Sequence, residues 1–140
     1  MSVRGPIIVI EDDEDDREFY SETLNNLQIE NEIIFFARAE EAYQFLEVTA
    51  SKPLVILSDI NLPGMSGIDF KKRIQENPFL RSKSIPFIFL TTSSDKKSVI
   101  IAYEMMVQGY FVKPNSVTEL SSLLAQIIGY WKICKHPNSF

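Results

Sequence analysis

Four apolar residues, Ile7-Ile8-Val9-Ile10, run directly into six consecutive acids, Glu11-Asp12-Asp13-Glu14-Asp15-Asp16. A short, continuous apolar run rich in β-branched residues is typical of a strand buried on both faces of a parallel sheet. Acids immediately after such a run favour the first turn of a helix, where the positive end of the helix dipole stabilises negative charge. The stretch therefore predicts a strand followed by a helix, the repeating unit of α/β folds.

The same alternation continues along the chain. Further short apolar runs predict strands at Ile33–Ala37, Leu54–Ser58, Pro86–Leu90 and Tyr110–Val112. Apolar residues at helical spacing predict helices at Glu14–Leu27, Ala39–Val48, Gly67–Glu76, Ser94–Gln108 and a last helix that opens with the capping box Ser116-Val117-Thr118-Glu119. Five strand–helix alternations predict an α/β fold with a doubly wound five-stranded parallel sheet between two helical layers.

Length and composition narrow the class of protein. The 140 residues predict one domain, residues 1–140, with its core at 6–134 and a short tail at 135–140 that leaves no room for an output domain. A net charge of −5 argues against a nucleic-acid surface. No apolar run approaches the ~20 residues that span a membrane, and the N-terminus does not resemble a secretory signal. Since Cys134 is the single cysteine, the expected compartment is the cytoplasm.

Chemically useful side chains follow four of the five predicted strands. Because parallel strands share one carboxyl-terminal rim, where ligands bind in such folds, these side chains should lie close together. Each has an ordinary interpretation alone, as a solvated acid, a turn residue or a strand end. The residues are Glu11 and Asp12 after the first strand, Asp59 after the third, Thr91 after the fourth and Lys113 after the fifth.

The combination of these side chains is more informative than any one of them. Converging carboxylates repel one another unless a cation lies among them, and oxygen ligands select Mg²⁺ or Mn²⁺. A lysine and a threonine hydroxyl can bind anionic oxygens, and a carboxylate can act as a nucleophile. These are the requirements of phosphoryl transfer.

Four motifs in this order resemble the receiver domains of two-component response regulators, the CheY-like superfamily. The resemblance covers residues 6–134 and implies the strand order 2-1-3-4-5 of a flavodoxin-like, three-layer sandwich. The motifs are Glu11-Asp12-Asp13, Ser58-Asp59-Ile60-Asn61-Leu62-Pro63-Gly64-Met65-Ser66-Gly67, Leu90-Thr91-Thr92-Ser93 and Gly109-Tyr110-Phe111-Val112-Lys113-Pro114.

The resemblance implies a role for each matched residue. Asp59 would be the phosphoacceptor, taking a phosphoryl group from the phosphohistidine of a sensor histidine kinase. Glu11, Asp12, Asp59 and the backbone carbonyl of Asn61 would hold Mg²⁺ (or Mn²⁺), although many members have Asp at the position of Glu11. Thr91 and Lys113 would bind phosphoryl oxygens, and Tyr110 would be the switch aromatic whose orientation follows Thr91. The Lys113–Pro114 peptide would be cis. The protein would then be no enzyme in the usual sense but a signalling phosphoacceptor that assists its own phosphorylation and dephosphorylation.

The output of such a stand-alone response regulator would be a contact with another protein, through the fourth predicted helix, the fifth strand and the last helix. In Val99–Val107 eight of nine residues are apolar, too many for one helix face, so some should be exposed at an interface unless loops bury them. A homodimer is the simplest use of such a face. A downstream target or a histidine phosphotransfer protein is the other. Residues 77–84 resemble an insertion in the small receivers that partner bacterial phytochromes and related hybrid sensor kinases.

Two other classes of function compete with the phosphoacceptor. A phosphorylation-independent binding module would be expected to have lost one of Asp12, Asp59, Thr91 and Lys113. A flavin- or nucleotide-binding enzyme would need a glycine-rich phosphate cradle after the first strand, where this chain has six acids. His136, alone in the tail, is expected to be exposed and without a ligand role.

Overall fold

The sheet has the predicted order and direction. The computed structural model describes residues 5–139. All neighbouring strands are parallel, in the order β2-β1-β3-β4-β5. The strands are β1 (Ile7–Ile10), β2 (Ile33–Phe36), β3 (Val55–Ser58), β4 (Phe87–Thr91) and β5 (Gly109–Val112). The prediction of a doubly wound α/β sheet is confirmed.

Within residues 5–139, six helices cover the two faces of this sheet. They are α1 (Glu14–Asn26), α2 (Ala39–Val48), α3 (Gly67–Glu76), α4 (Pro78–Lys83), α5 (Lys96–Glu104) and α6 (Val117–Ile133), followed by a short 3-10 helix at Pro137–Ser139. None of the helices in residues 5–139 is long and apolar enough to cross a membrane.

Two hydrophobic cores lie on opposite faces of the sheet. Ile8 and Ile10 of β1 point into the core formed with α2, α3, α4 and α5. Ile7 and Val9 of the same strand point into the core formed with α1 and α6. All four residues of β1 are apolar because helices cover both faces of this central strand, which is why the sequence shows a continuous apolar run.

The stretch that the sequence suggested was an insertion is a helix, α4. Pro78 occupies its first turn, where a missing backbone N–H costs nothing. The side chain of Asn77 accepts hydrogen bonds from the N–H groups of Phe79 and Leu80. Leu80 is buried in the core, so α4 is fixed to the domain by packing as well as by its cap.

The fourth predicted helix, Ser94–Gln108, is shorter in the structure and is α5. Asp95 caps it by accepting from the N–H of Ser98, and it ends before Met106, which has a left-handed φ of 64°. The apolar residues of this region do not all fit into the core. Ile100, Tyr103 and Met106 are exposed, which confirms that part of Val99–Val107 faces outward.

The expectation that His136 is exposed was wrong. Its side chain is 1% exposed. In the tautomer that satisfies both neighbours, its Nε2–H donates to the carbonyl of Leu54 at 2.6 Å while Nδ1 accepts from the N–H of Asn138 at 3.0 Å. Its ring also meets that of Trp131 edge to face. These partners lie far away in sequence or depend on tail geometry, so a lone histidine in a polar tail gave no signal of them.

Candidate functional site

The four strand ends bring their polar residues to one rim, as predicted. The N–H of Asp59 donates to the carbonyl of Ile10 at 3.1 Å, so the residue after β3 lies beside the end of β1. The N–H of Lys113 donates to the carbonyl of Thr91 at 2.8 Å, so the residue after β5 lies beside the end of β4. The order of the strands then places Asp59 between the acids after β1 and the Thr91–Lys113 pair.

The ammonium group of Lys113 is the centre of the site. It forms ion pairs with Asp59 Oδ2 at 2.9 Å, with Asp16 Oδ2 at 3.2 Å and with Glu11 Oε1. The Lys113 side chain is only 13% exposed, and those of Glu11 and Asp59 are still less so. One cation therefore compensates three carboxylates that would otherwise repel each other at short range.

Burial and pairing act in opposite directions on these groups. Burial raises the pKa of Glu11 above its ordinary value of 4.5, although its hydrogen bond and charge interaction with Lys113 lower it. Burial would lower the pKa of Lys113, but the hydrogen bonds to Glu11 and Asp59 outweigh it, and the pKa lies well above its usual 10.5. Lys113 is therefore a permanent cation. Tyr20, buried under the same cluster, has a pKa raised above 10 chiefly by burial.

The position of Asp59 is fixed by the backbone around it and by a hydrogen bond to Oδ1, the carboxylate oxygen that does not contact Lys113. Its Oδ1 accepts from the N–H of Asn61 at 3.1 Å. The start of α3 approaches so closely that a Cβ added at Gly67 would lie 2.1 Å from the carbonyl oxygen of Asp59. Only glycine fits there, so Gly67 permits this close start of α3.

Ser93 links three of the predicted site residues. Its N–H donates to Thr91 Oγ1 at 3.4 Å, and its carbonyl accepts from the hydroxyl of Tyr110 at 2.5 Å. Its own hydroxyl accepts from the side-chain amide of Asn61 at 2.9 Å. Thr91 is completely buried, whereas Tyr110 is half-buried with its ring edge-on to Phe89. Hydrogen bonds through Ser93 therefore connect Thr91 to Tyr110.

Two residues at the site escaped the sequence analysis. The sequence places Asp16 only among the acids of the first helical turn, yet its carboxylate reaches Lys113 while its N–H donates to the capping Asp13. Ser93 lies in one of the matched motifs, but the resemblance implies no role for it. The signal for Asp16 was its place one turn after Asp12 and Asp13, which points it back toward the rim.

The predicted metal ligands are not all drawn together. Glu11 and Asp59 meet at Lys113, whereas Asp12 is exposed and joins no ion pair or hydrogen bond among residues 5–139. No group of three or more acids, histidines or cysteines in that part of the chain is arranged as a ready metal site. The donor set nevertheless fits Mg²⁺, because buried carboxylates on one rim with an exposed neighbouring aspartate supply the hard oxygens that the ion requires.

The Lys113–Pro114 peptide is trans, since residues 5–139 contain no cis peptide bond. The expectation of a cis bond was wrong for this structure. The trans form is the one that most peptide bonds before proline adopt.

Comparison with known proteins agrees with this geometry. Residues 7–125 match the model of the response regulator receiver domain. The chain belongs to the response regulator receiver domain family. The receiver is 32% identical over 130 residues to response regulator Rcp1 of Synechocystis sp., with 89% of this chain and 87% of Rcp1 covered. It is 31% identical over 123 residues to chemotaxis protein CheY1 of Helicobacter pylori, with 88% and 96% covered.

Solved structures of receivers superpose closely on this one. The phosphorylated cyanobacterial phytochrome response regulator RcpA matches with a TM-score of 0.82 at 27% identity, covering 91% of this chain and 94% of RcpA. The Mn²⁺-bound form of Rcp1 matches with a TM-score of 0.79 at 30% identity, covering 92% and 95%. Both confirm the order and layers of the receiver fold.

Proposed function

We propose that this receiver is the phosphoacceptor of a two-component system and that Asp59 receives the phosphoryl group. The observation that carries the proposal is the 2.9 Å contact between Asp59 Oδ2 and the ammonium of Lys113. This contact lies at the rim of the sheet that also holds Glu11, after β1, and Thr91, at the end of β4. A carboxylate held beside a permanent cation and a buried hydroxyl has the nucleophile and the charge stabilisation that phosphoryl transfer needs.

In the transfer, an Asp59 oxygen attacks the phosphorus of a phosphohistidine. The new bond is an acyl phosphate, the phosphorus–nitrogen bond breaks, and its electron pair stays on the imidazole. Lys113 exchanges its contact with Asp59 Oδ2 for one with a phosphoryl oxygen, and the Thr91 hydroxyl donates to another. The protein thus assists a reaction on its own side chain and is not an enzyme acting on a separate substrate.

Glu11, Asp12, Asp59 and the backbone carbonyl of Asn61 would hold the divalent cation. Bound Mg²⁺ offsets the negative charge of the carboxylates and of the incoming phosphoryl group. The oxygen chemistry of these residues and the Mn²⁺-bound form of Rcp1 support this assignment. Asp12 is the residue free to turn toward such an ion, because nothing in residues 5–139 bonds to its side chain.

The phosphoryl donor we propose is a sensor histidine kinase of the phytochrome type. RcpA is a phytochrome response regulator, and a bacteriophytochrome response regulator, RtBRR, matches with a TM-score of 0.74 at 28% identity. The helix α4, in the segment that resembles those receivers, is consistent with the same group. A cytoplasmic location follows from this role.

The output is a contact made by α5, β5 and α6. Phosphorylation adds about 1.5 to 2 negative charges beside Thr91. The loop through Ser93 connects Thr91 to Tyr110 at the edge of this face. Exposed apolar side chains lie on all three elements, including Tyr103, Val112 and Val117. A second copy of the chain, a downstream target or a histidine phosphotransfer protein would bind there, and phosphorylation would shift the population between two packings.

The direct test is incubation with acetyl phosphate and Mg²⁺, followed by intact-mass spectrometry. The wild-type protein should gain one phosphoryl group, and Asp59→Asn should gain none. EDTA should prevent the reaction, whereas Lys72→Met, which changes an exposed lysine on α3, should leave it unchanged. Modification that persists in Asp59→Asn would show that another residue is the acceptor.

A further inference from the structure

Lys71 of α3 is a buried lysine that has no acidic partner among residues 5–139. The residue is only 6% exposed. Within the described part of the chain, its ammonium donates one hydrogen bond, to the neutral amide oxygen of Gln75 at 3.1 Å. The ammonium also lies over the ring of Phe87, 5.6 Å from its centre. An ammonium group has three donors, and neither an amide nor a ring carries the negative charge that normally accompanies a buried cation.

Burial makes the lack of a negatively charged neighbour unusual for the Lys71 ammonium. Burial lowers its pKa below the ordinary 10.5, because the charged form loses its hydration. No carboxylate in residues 5–139 forms an ion pair with Lys71 or with its neighbour Arg81. Lys71 and Arg81 therefore carry positive charge that no carboxylate of residues 5–139 compensates.

Lys71 lines a cleft of about 250 Å³ that carries no acid. Arg81 of α4 adds a second cation to its wall, and Gln75, Ser84 and Gln108 add amides and a hydroxyl. The volume is below the range of drug-sized ligand pockets, so it suits a small ligand. The chemistry of the wall, two cations with neutral polar groups, suits an anion with several oxygen acceptors.

The backbone that shapes the cleft is fixed at both sides. Ser84, where α4 ends, and Met106, just after α5, both adopt left-handed conformations, with φ of 51° and 64°. The amide oxygen of Gln108 accepts a hydrogen bond from the N–H of Phe87, and its amide nitrogen donates one to the carbonyl of Met106. These residues precede β4 and β5, whereas Asp59 follows β3, so the cleft lies toward the strand starts and away from the phosphoacceptor rim.

We propose that this cleft, between α3, α4 and the α5–β5 connection, binds a small tetrahedral oxyanion of the phosphate class, with Lys71 as its buried charge partner and Arg81 at its mouth. The anion supplies the negative charge that the protein does not place there. Because Met106 and Gln108 form one wall, occupancy would also hold the junction at which the α5–β5–α6 face begins.

The test is a titration of the ¹⁵N-labelled full-length protein with inorganic phosphate, followed by NMR at constant ionic strength set with chloride and in EDTA. The wild type should show saturable shifts of the backbone amides of α3, α4 and the α5–β5 connection. Lys71→Met, which removes the charge but keeps the length of the side chain, should bind phosphate at least about tenfold more weakly. Lys72→Met, the exposed lysine next along α3, should bind as the wild type does.

Two further arms keep the proposal open to refutation. Arg81→Gln alters an exposed residue, so the protein will fold, and it should also weaken phosphate binding. Acetate, with two oxygens in a plane, should bind more weakly than phosphate. Shifts that do not saturate, shifts equal in Lys71→Met, shifts confined to the amides around Lys113, or equal affinity for acetate would each overturn the proposal.

Discussion

Replacing Lys113 with methionine removes the cation that, among residues 5–139, forms ion pairs with the acid cluster, while keeping a side chain of similar length. Glu11 and Asp59 would then be buried carboxylates without their partner. Breaking a buried ion pair in this way costs about 3–5 kcal/mol, because the remaining charge is left desolvated. Asp16 adds little to this figure, since its side chain is 42% exposed and water can solvate it.

The loss should depend on pH, and its sign follows from Glu11. Burial already raises the pKa of Glu11 in the folded protein, and Lys113 lowers it. Without Lys113 the pKa of Glu11 in the folded protein rises further. As the pH falls, the folded variant therefore binds a proton at Glu11 before the unfolded chain does, since the unfolded chain binds it only near pH 4.5. Between the raised pKa of the folded variant and pH 4.5, each pH unit of acidification restores about 1.4 kcal/mol of the free energy of unfolding. Lys113 itself adds no pH dependence here, because its stabilising effect is lost only above pH 10.5.

The assay is urea denaturation of wild type and Lys113→Met at pH 7.5 and pH 5. We expect the loss in the free energy of unfolding to be largest at pH 7.5 and clearly smaller at pH 5. Lys72→Met should stay within about 0.5 kcal/mol of wild type at both values, as exposed substitutions do. A loss under about 1 kcal/mol at pH 7.5, or an equal loss at both pH values, would refute the view that Lys113 compensates buried carboxylates.

Two other substitutions test the geometry around Asp59 and Tyr110. Gly67→Ala would place a Cβ against backbone atoms of Asp59 and Ile60 and should destabilise the protein by at least about 1–3 kcal/mol in urea, with slower labelling by acetyl phosphate. Gly129→Ala, a helix position with open space around it, should instead stabilise by about 0.4–1 kcal/mol, and equal effects at the two glycines would contradict the close approach at Gly67. Tyr110→Phe removes the hydroxyl that donates to Ser93 and should cost about 0.5–1.5 kcal/mol while leaving phosphorylation by acetyl phosphate intact in the mass assay. Loss of phosphorylation in Tyr110→Phe would mean that the hydroxyl acts in the chemistry and not only in the switch.

Prediction from the sequence was most successful where a residue's role depends on the strand that precedes it. Asp59, Thr91 and Lys113 each follow a continuous apolar run, and parallel strands must share a rim, so their proximity could be predicted. Predictions failed where a contact depends on long-range packing. Asp16 was one acid among six; its place one turn after Asp12 and Asp13 points it toward the rim, but only packing decides that its carboxylate meets Lys113.

The C-terminal tail and α4 also show that contacts made by long-range packing could not be predicted from the local sequence. His136 is buried because the chain after α6 folds back on the start of β3, a path that no periodicity in a short polar tail can encode. In α4, the cap at Asn77 and the proline at the first turn were readable signals, but a six-residue helix forms only because Leu80 finds a place in the core.

The sequence by itself determined the alternation of strands and helices and the set of reactive side chains at the strand ends, because apolar periodicity and strand direction are local properties. Only the tertiary structure decided that one ammonium group would compensate three carboxylates and that Lys71 would be buried with no carboxylate partner in the described residues 5–139. Both outcomes depend on which surfaces meet when the helices pack, and the free energy of a buried charge is set by those neighbours rather than by its place along the chain.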